Sequence, residues 1–198
     1  IDFGADVVLY SVTKYLGGHS DIVAGAALGK KYIIDRIKSS RVFFGNISSP
    51  FTSWLLLRSL ETLKIRMQKH MFNASKVALF LKSHKKIKSV SWAGFKESPF
   101  HKLGKKYFQF GFGSVFTFSL KSGYEGAKSL VENCNLLSHL ANVGDTKSLI
   151  IHPASTTHRQ LSSEQREVAG VGDSIIRVSI GIEHHDDIIR DLNDALEI

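Results

Sequence analysis

One lysine of this chain stands between two hydroxyls and a pair of glycines. The stretch is Ser11-Val12-Thr13-Lys14-Tyr15-Leu16-Gly17-Gly18-His19. It follows an apolar run, Val7-Val8-Leu9-Tyr10, and precedes a second one over 22–28. A lysine at the end of a buried strand is costly unless it is paired or used. Desolvation lowers its proton affinity and makes the amine a candidate nucleophile. In an extended segment Ser11 and Thr13 share one side and Lys14 faces the other. Two hydroxyls beside an amine suit an anionic ligand that carries a carbonyl. The hydroxyls hold a phosphate, and the amine condenses with the carbonyl.

Pyridoxal 5'-phosphate has that pairing of groups. Asp6 through Ser20, DVVLYSVTKYLGGHS, resembles the cofactor-lysine signature of the Cys/Met-metabolism pyridoxal-phosphate enzymes, with Asp6, Ser11, Thr13, Lys14, Tyr15, Gly18 and His19 in register. Val12 departs, since that family usually has a smaller residue there. The resemblance implies that Lys14 is the catalytic, cofactor-carrying lysine and that Ser11 and Thr13 bind the cofactor phosphate.

Arg177 lies in an apolar run, Ile175-Ile176-Arg177-Val178-Ser179-Ile180, that predicts a strand. Such an arginine is either an edge charge with a structural partner or a planar fork for a carboxylate. The segment 176–183, IRVSIGIE, resembles the same family's C-terminal motif, whose arginine binds the amino-acid carboxylate. The resemblance implies that role for Arg177. It also covers Asn142-Val143-Gly144-Asp145 and His152-Pro153-Ala154-Ser155-Thr156-Thr157-His158. Asn142 is read two ways, as a turn-former before Gly144 or, by resemblance, as a second donor to the substrate carboxylate.

His152 and His158 are six apart and His184 and His185 are adjacent, with no zinc framework around them, so no metal site is expected. Glu183, Asp186 and Asp187 read as charges at a helix N-terminus. The 198 residues include one cysteine, Cys134, which excludes an intramolecular disulfide and agrees with a reducing cytoplasm. The net charge of +8 raises nucleic-acid binding. The basic residues of 82–88 and 102–106 carry no such motif, and they read as solvated surface. No apolar run approaches the ~20 residues of a membrane helix. The opening Ile1-Asp2-Phe3-Gly4 lacks the order of a secretory leader and reads as a chain entered in mid-fold.

The elements that must position these residues follow from pattern. A strand buried on both faces is expected over 5–11, and another over 21–29. Helices are expected over 30–40, from Ser49-Pro50 onward, and over 65–81, the last joining two domains. Further on, strands are expected at 87–93, 113–120, 148–151 and 175–180. Helices are expected at 123–133, at 162–169 with a Ser162/Gln165 capping box, and at 186–196. Residues 94–112 read as loop, with a brief extended piece at Phe108-Phe110-Phe112.

The resemblance implies an α/β fold. Residues 1–62 would be the end of a large cofactor domain of the aspartate aminotransferase-like fold type I, with a mostly parallel sheet. Residues 63–198 would be a smaller C-terminal α/β domain. It also implies a cytoplasmic homo-oligomer, a tetramer built of dimer pairs, acting on a small amino-acid substrate. The family's glycine-rich phosphate contacts, ring-stacking aromatic and pyridine-nitrogen aspartate have no counterpart here, so the isolated chain is expected to be a poor catalyst. Asn142-Val-Gly-Asp and Ser-Thr-Thr-His158 favour γ-replacement on O-acetylhomoserine. Gly18-His-Ser-Asp21 is nearer the cystathionine and methionine lyases.

Overall fold

The computed structural model describes residues 1–198 as two compact units, Ile1–Lys64 and Ile65–Ile198. No helix is long and apolar enough to cross a membrane.

The first unit begins with an antiparallel ribbon. Strand β1 (Val7–Ser11) pairs with β2 (Gly25–Gly29), Leu9 opposite Ala27 and Ser11 opposite Gly25. Gly29 permits the close approach, since a Cβ there would lie 2.7 Å from the Asp6 carbonyl. Helix α1 (Lys31–Phe44) ends in a left-handed glycine, Gly45, whose N–H reaches back to Val42. Helix α2 (Pro50–Glu61) starts as its sequence predicts: the Ser49 hydroxyl accepts from the Thr52 N–H, and proline fills the first helical position.

One expectation for this unit is corrected. The strand at 5–11 is not buried on both faces, for Leu9 is 78% exposed and Tyr10 39%. A two-stranded ribbon offers its apolar side chains no covering layer, and an apolar run records only that cover is wanted. The two strands of this unit form an antiparallel pair, the turn-containing connection returning the chain alongside β1.

The second unit is a five-stranded mixed sheet with helices on one face. Its strands are β3 (Ile87–Ser91), β4 (Val115–Leu120), β5 (Ser138–His139), β6 (Leu149–Ile151) and β7 (Ile175–Ser179), in the order β3-β4-β7-β6-β5. The β5–β6 pair is parallel and the other three are antiparallel. Against one face pack α3 (Leu63–Ser83), α5 (Gly123–Asn133) and α7 (His185–Glu197). Helix α4 (His101–Tyr107) and the short α6 (Ser163–Val168) lie in the connections.

The periodicities explain the packing. Strand residues Phe116, Phe118, Ile176 and Val178 alternate inward, while α7 supplies Ile188, Leu192 and Leu196 at helical spacing. These side chains are at most a few per cent exposed. Burying each is worth roughly 1.5–3 kcal/mol, so this layer carries the unit's stability. The Ser162/Gln165 capping box opens α6 as expected. Residues 94–112 hold a helix rather than a loop, and Phe108, Phe110 and Phe112 are not in a strand. Strand β5 has two residues, too few to leave a period.

Candidate functional site

Strand β1 ends at Ser11, and the next residues are not extended, contrary to the alternation assumed from sequence. They coil into a turn in which the Lys14 N–H donates to Ser11 O (3.2 Å), the Gly17 N–H to Val12 O (2.8 Å) and the Gly18 N–H to Lys14 O (2.7 Å). Gly18 has φ +74°, which a side chain would resist. A Cβ on Gly17 would meet Ile22 Cγ1 at 2.9 Å and Val12 O at 3.0 Å. Val12 is 1% exposed and Ile22 6%, so the residue that departs from the family pattern is the plug beneath the turn.

The three residues singled out here differ in availability. Ser11 is exposed, and its hydroxyl is engaged by no other group of the chain. The Thr13 hydroxyl accepts from the Ala24 N–H (2.9 Å) and donates to Ala24 O (3.3 Å). Its single proton is therefore spent on tying the turn to the segment leading into β2, and holding a phosphate would require release of that carbonyl. Lys14 is half-buried at the centre of the turn. A groove of about 820 Å³ opens beside Ser11, over Leu9, Ile34 and Phe44, with Lys38 and Arg41 at its walls.

In the second unit Arg177 occupies β7 between Thr117 of β4 and Ile151 of β6. It alternates with Ile176 and Val178, so its side chain leaves the sheet on the face opposite the helices. The residue is half-buried, and its guanidinium makes no ion pair or hydrogen bond within the chain. Ser179 shares that face, and its hydroxyl accepts from the Gly144 N–H at 3.1 Å. The loop that begins with half-buried Asn142 is thereby laid against the Arg177 side of the sheet.

What fixes this loop escaped the sequence reading. Glu183 is not a helix-terminal charge. Its carboxylate accepts from the Ser148 N–H (2.6 Å) and the Ser148 hydroxyl (2.9 Å), and the same hydroxyl accepts from the Gly181 N–H (2.8 Å). The Ile182 N–H donates to Thr146 O (2.8 Å). Gly181 is required by this closeness, for a Cβ would lie 2.3 Å from Thr146 O. From the other side α3 presents Arg66, His70 and Asn73, all at most 4% exposed. Asn73 Nδ2 donates to Gly181 O (3.0 Å) and Glu183 O (2.8 Å), while His70 Nδ1 bonds Ile180 O (2.6 Å). Burial lowers the pKa of both Arg66 and His70. The signal was present as a polar stripe at i, i+4 and i+7 of a helix, a spacing that puts all three on one face.

His152 is another buried structural group. Its Nε2 meets Asp173 O and its Nδ1 meets the Ser155 hydroxyl, each at 2.9 Å. A neutral ring donating to the carbonyl and accepting from the hydroxyl satisfies both, and burial lowers its pKa accordingly. Cys134 is pushed up to about 12 by burial, with Asp191 adding to the effect, so its thiol is inert.

The family model described as Cys/Met metabolism PLP-dependent enzyme matches residues 1–197. The L-methionine gamma-lyase of Fusobacterium nucleatum subsp. polymorphum is 40% identical over 199 aligned residues, covering all of this chain and 50% of the relative. The homocysteine synthase of Schizosaccharomyces pombe is also 40% identical, over 235 aligned residues that cover all of this chain and 54% of the relative. A solved structure of a putative O-acetylhomoserine (thiol)-lyase from Campylobacter jejuni, which carries an N'-pyridoxyl-lysine-5'-monophosphate, superimposes with TM-score 0.90 at 38% identity. That match covers 100% of this chain and 55% of the other. The chain thus spans about half the length of the relatives it matches.

Proposed function

Because the chain belongs to the Cys/Met-metabolism PLP-dependent enzymes, we propose that it supplies the cofactor lysine and the carboxylate clamp of a cytoplasmic, homo-oligomeric transsulfuration enzyme. The reaction is γ-replacement on O-acetylhomoserine, with sulfide or a thiol displacing acetate to give homocysteine or methionine. The observation that carries this reading is Lys14, half-buried in a hydrogen-bonded turn within the Asp6–Ser20 signature.

The donor set fits pyridoxal phosphate. Lys14 offers the amine that holds its carbonyl carbon, Ser11 offers a free hydroxyl to its phosphate, and Thr13 offers a second once it releases Ala24 O. When bound, the cofactor supplies an electron sink. The chain's own groups do the rest. Lys14 takes and returns protons at the substrate's α and β carbons. Arg177 holds the substrate carboxylate through its planar fork, and the Asn142 amide donates to the same group. Nothing else in the chain competes for the Arg177 guanidinium.

Gamma-elimination is a second reading, and one observation favours it. The chain runs beside the methionine gamma-lyase over 199 aligned residues, whereas the homocysteine synthase alignment needs 235. One experiment separates the two. The chain is supplied with the N-terminal half of a family member, and both reactions are assayed. O-acetylhomoserine with sulfide should yield homocysteine. Release of methanethiol and ammonia from methionine, without homocysteine synthesis, would replace the first reading with the second. Neither product, with no absorbance near the ~420 nm expected of a lysine-bound cofactor, would defeat both.

A further inference from the structure

The start of α7 brings together the side chains of three consecutive residues, His184, His185 and Asp186. His184 is the N-cap, with Nδ1 accepting from the Asp186 N–H at a long 3.4 Å. The rings of His184 and His185 stack with centroids 4.7 Å apart and planes 29° from parallel. Asp186 lies against both. Its Oδ2 is 3.7 Å from His184 Nδ1, and its Oδ1 is 3.4 Å from His185 Nε2. One ligand atom from each of the three residues falls within 4.8 Å of the others.

We infer that His184, His185 and Asp186 form a binding site for a borderline divalent transition ion of the zinc class. Zinc bonds to imidazole nitrogen and carboxylate oxygen are about 2.0–2.2 Å long, so neighbouring ligand atoms of a tetrahedral site stand roughly 3.3–3.5 Å apart. The two nitrogen-to-carboxylate distances run to different oxygens of Asp186, and one ligand atom from each residue lies within 4.8 Å of the others, so rotation of the exposed side chains, with release of the long His184 cap bond, draws them in to that spacing. Two imidazoles and one carboxylate select zinc, nickel or copper over magnesium or calcium, which prefer all-oxygen shells. His184 and Asp186 are 59% and 63% exposed, so an ion enters without unfolding and completes its shell with water. His185 is held more firmly, at 22% exposure, its ring edge-on to Phe72 at 5.4 Å. Lys69 and Lys76 lie over that same Phe72 ring, and their charges keep the site one of moderate affinity. Asp187, the next acid of the helix, is paired with Arg190 at 3.0 Å and is left out of the shell.

The test is zinc alone titrated into the full 198-residue chain at neutral pH, against a chromogenic zinc chelator. It reads metal uptake and so does not depend on the proposed reaction. One ion per chain should be taken up, and excess magnesium should not displace it. His184→Asn keeps a good N-cap acceptor, and His185→Phe keeps the ring against Phe72. Each should weaken zinc by about tenfold or more, the scale lost even with a supporting partner. His139→Ala, an exposed histidine elsewhere, should change nothing. In the unmutated chain, zinc should shift the imidazole resonances of His184 and His185. Absence of uptake, equal uptake by the double variant, or shifts confined to other histidines would overturn the site.

Discussion

Removing the Glu183 carboxylate should undo the second unit's loop pair, and the cost can be worked from the bonds it makes. Glu183→Ala deletes two charge-assisted hydrogen bonds, to the Ser148 N–H at 2.6 Å and the Ser148 hydroxyl at 2.9 Å. Ser148 is fully buried, so no water replaces the lost acceptor at its N–H. Bonds to charged groups contribute about 1.5–3 kcal/mol each, and a stranded buried donor adds its desolvation. A loss of about 3–5 kcal/mol follows, against a typical total of roughly 5–15. Urea unfolding followed by circular dichroism measures it as a fall in the midpoint at unchanged slope. Ser148→Ala removes the hydroxyl that also receives the Gly181 N–H, so the two substitutions share a bond and must not add. A double variant whose loss equals the sum of the singles within about 0.5 kcal/mol, or a Glu183→Ala loss below about 1 kcal/mol, would refute the coupling.

Other outcomes follow from the same geometry. Gly181→Ala should destabilise by several kcal/mol, because its Cβ would meet the Thr146 and Lys147 backbone at 2.3 and 2.6 Å and backbone cannot rotate away; a near-normal melting temperature would contradict this. His70 and His152 both have pKa values lowered from 6.5, chiefly by burial. The folded state therefore resists their protonation, and stability should be level above pH 6.5 and fall below it. The slope is at most about 1.4 kcal/mol per pH unit per histidine. Denaturation midpoints that stay flat from pH 7 to 5 would show that these rings are not held neutral. With the N-terminal half supplied, Arg177→Lys should raise KM for the amino-acid substrate at least tenfold, about 1.4 kcal/mol, with cofactor absorbance kept. Loss of the absorbance would make Arg177 a cofactor or structural residue instead. The chain alone should turn over slowly or not at all, and a rate near that of the supplemented enzyme would argue against the proposed division of the site.

Local signals were legible wherever one element satisfies itself. Ser49-Pro50, the Ser162/Gln165 box and the 123–133 helix needed no distant partner, and the structure returned them. Signals that depend on what lies opposite were not. Leu9 and Tyr10 are apolar enough for a core, yet nothing in 5–11 tells whether a layer covers them. Glu183 precedes a helix that begins with Asp186 and Asp187, so it reads as one of three N-terminal charges. Its true partner is Ser148, 35 residues away. Thr13 failed by a subtler route, because a hydroxyl next to a functional lysine looks available until Ala24 is seen to occupy it. On the first turns of α3 the most buried residues include Arg66, His70 and Asn73. Hydrophobicity has no vocabulary for a helix face whose partners are carbonyl oxygens.

That face has an evolutionary consequence. Asn73 and His70 grip the carbonyls of residues 180, 181 and 183, and a carbonyl is the same whatever side chain its residue bears. The grip therefore constrains α3 strictly while leaving the side chain of half-buried Ile182 free to drift, with Gly181 excepted for lack of room. Where the loop is held only by its main chain, as at Ile182, it can be rewritten without being let go, whereas Gly181 and Glu183 stay fixed by the room and the bonds their own positions require.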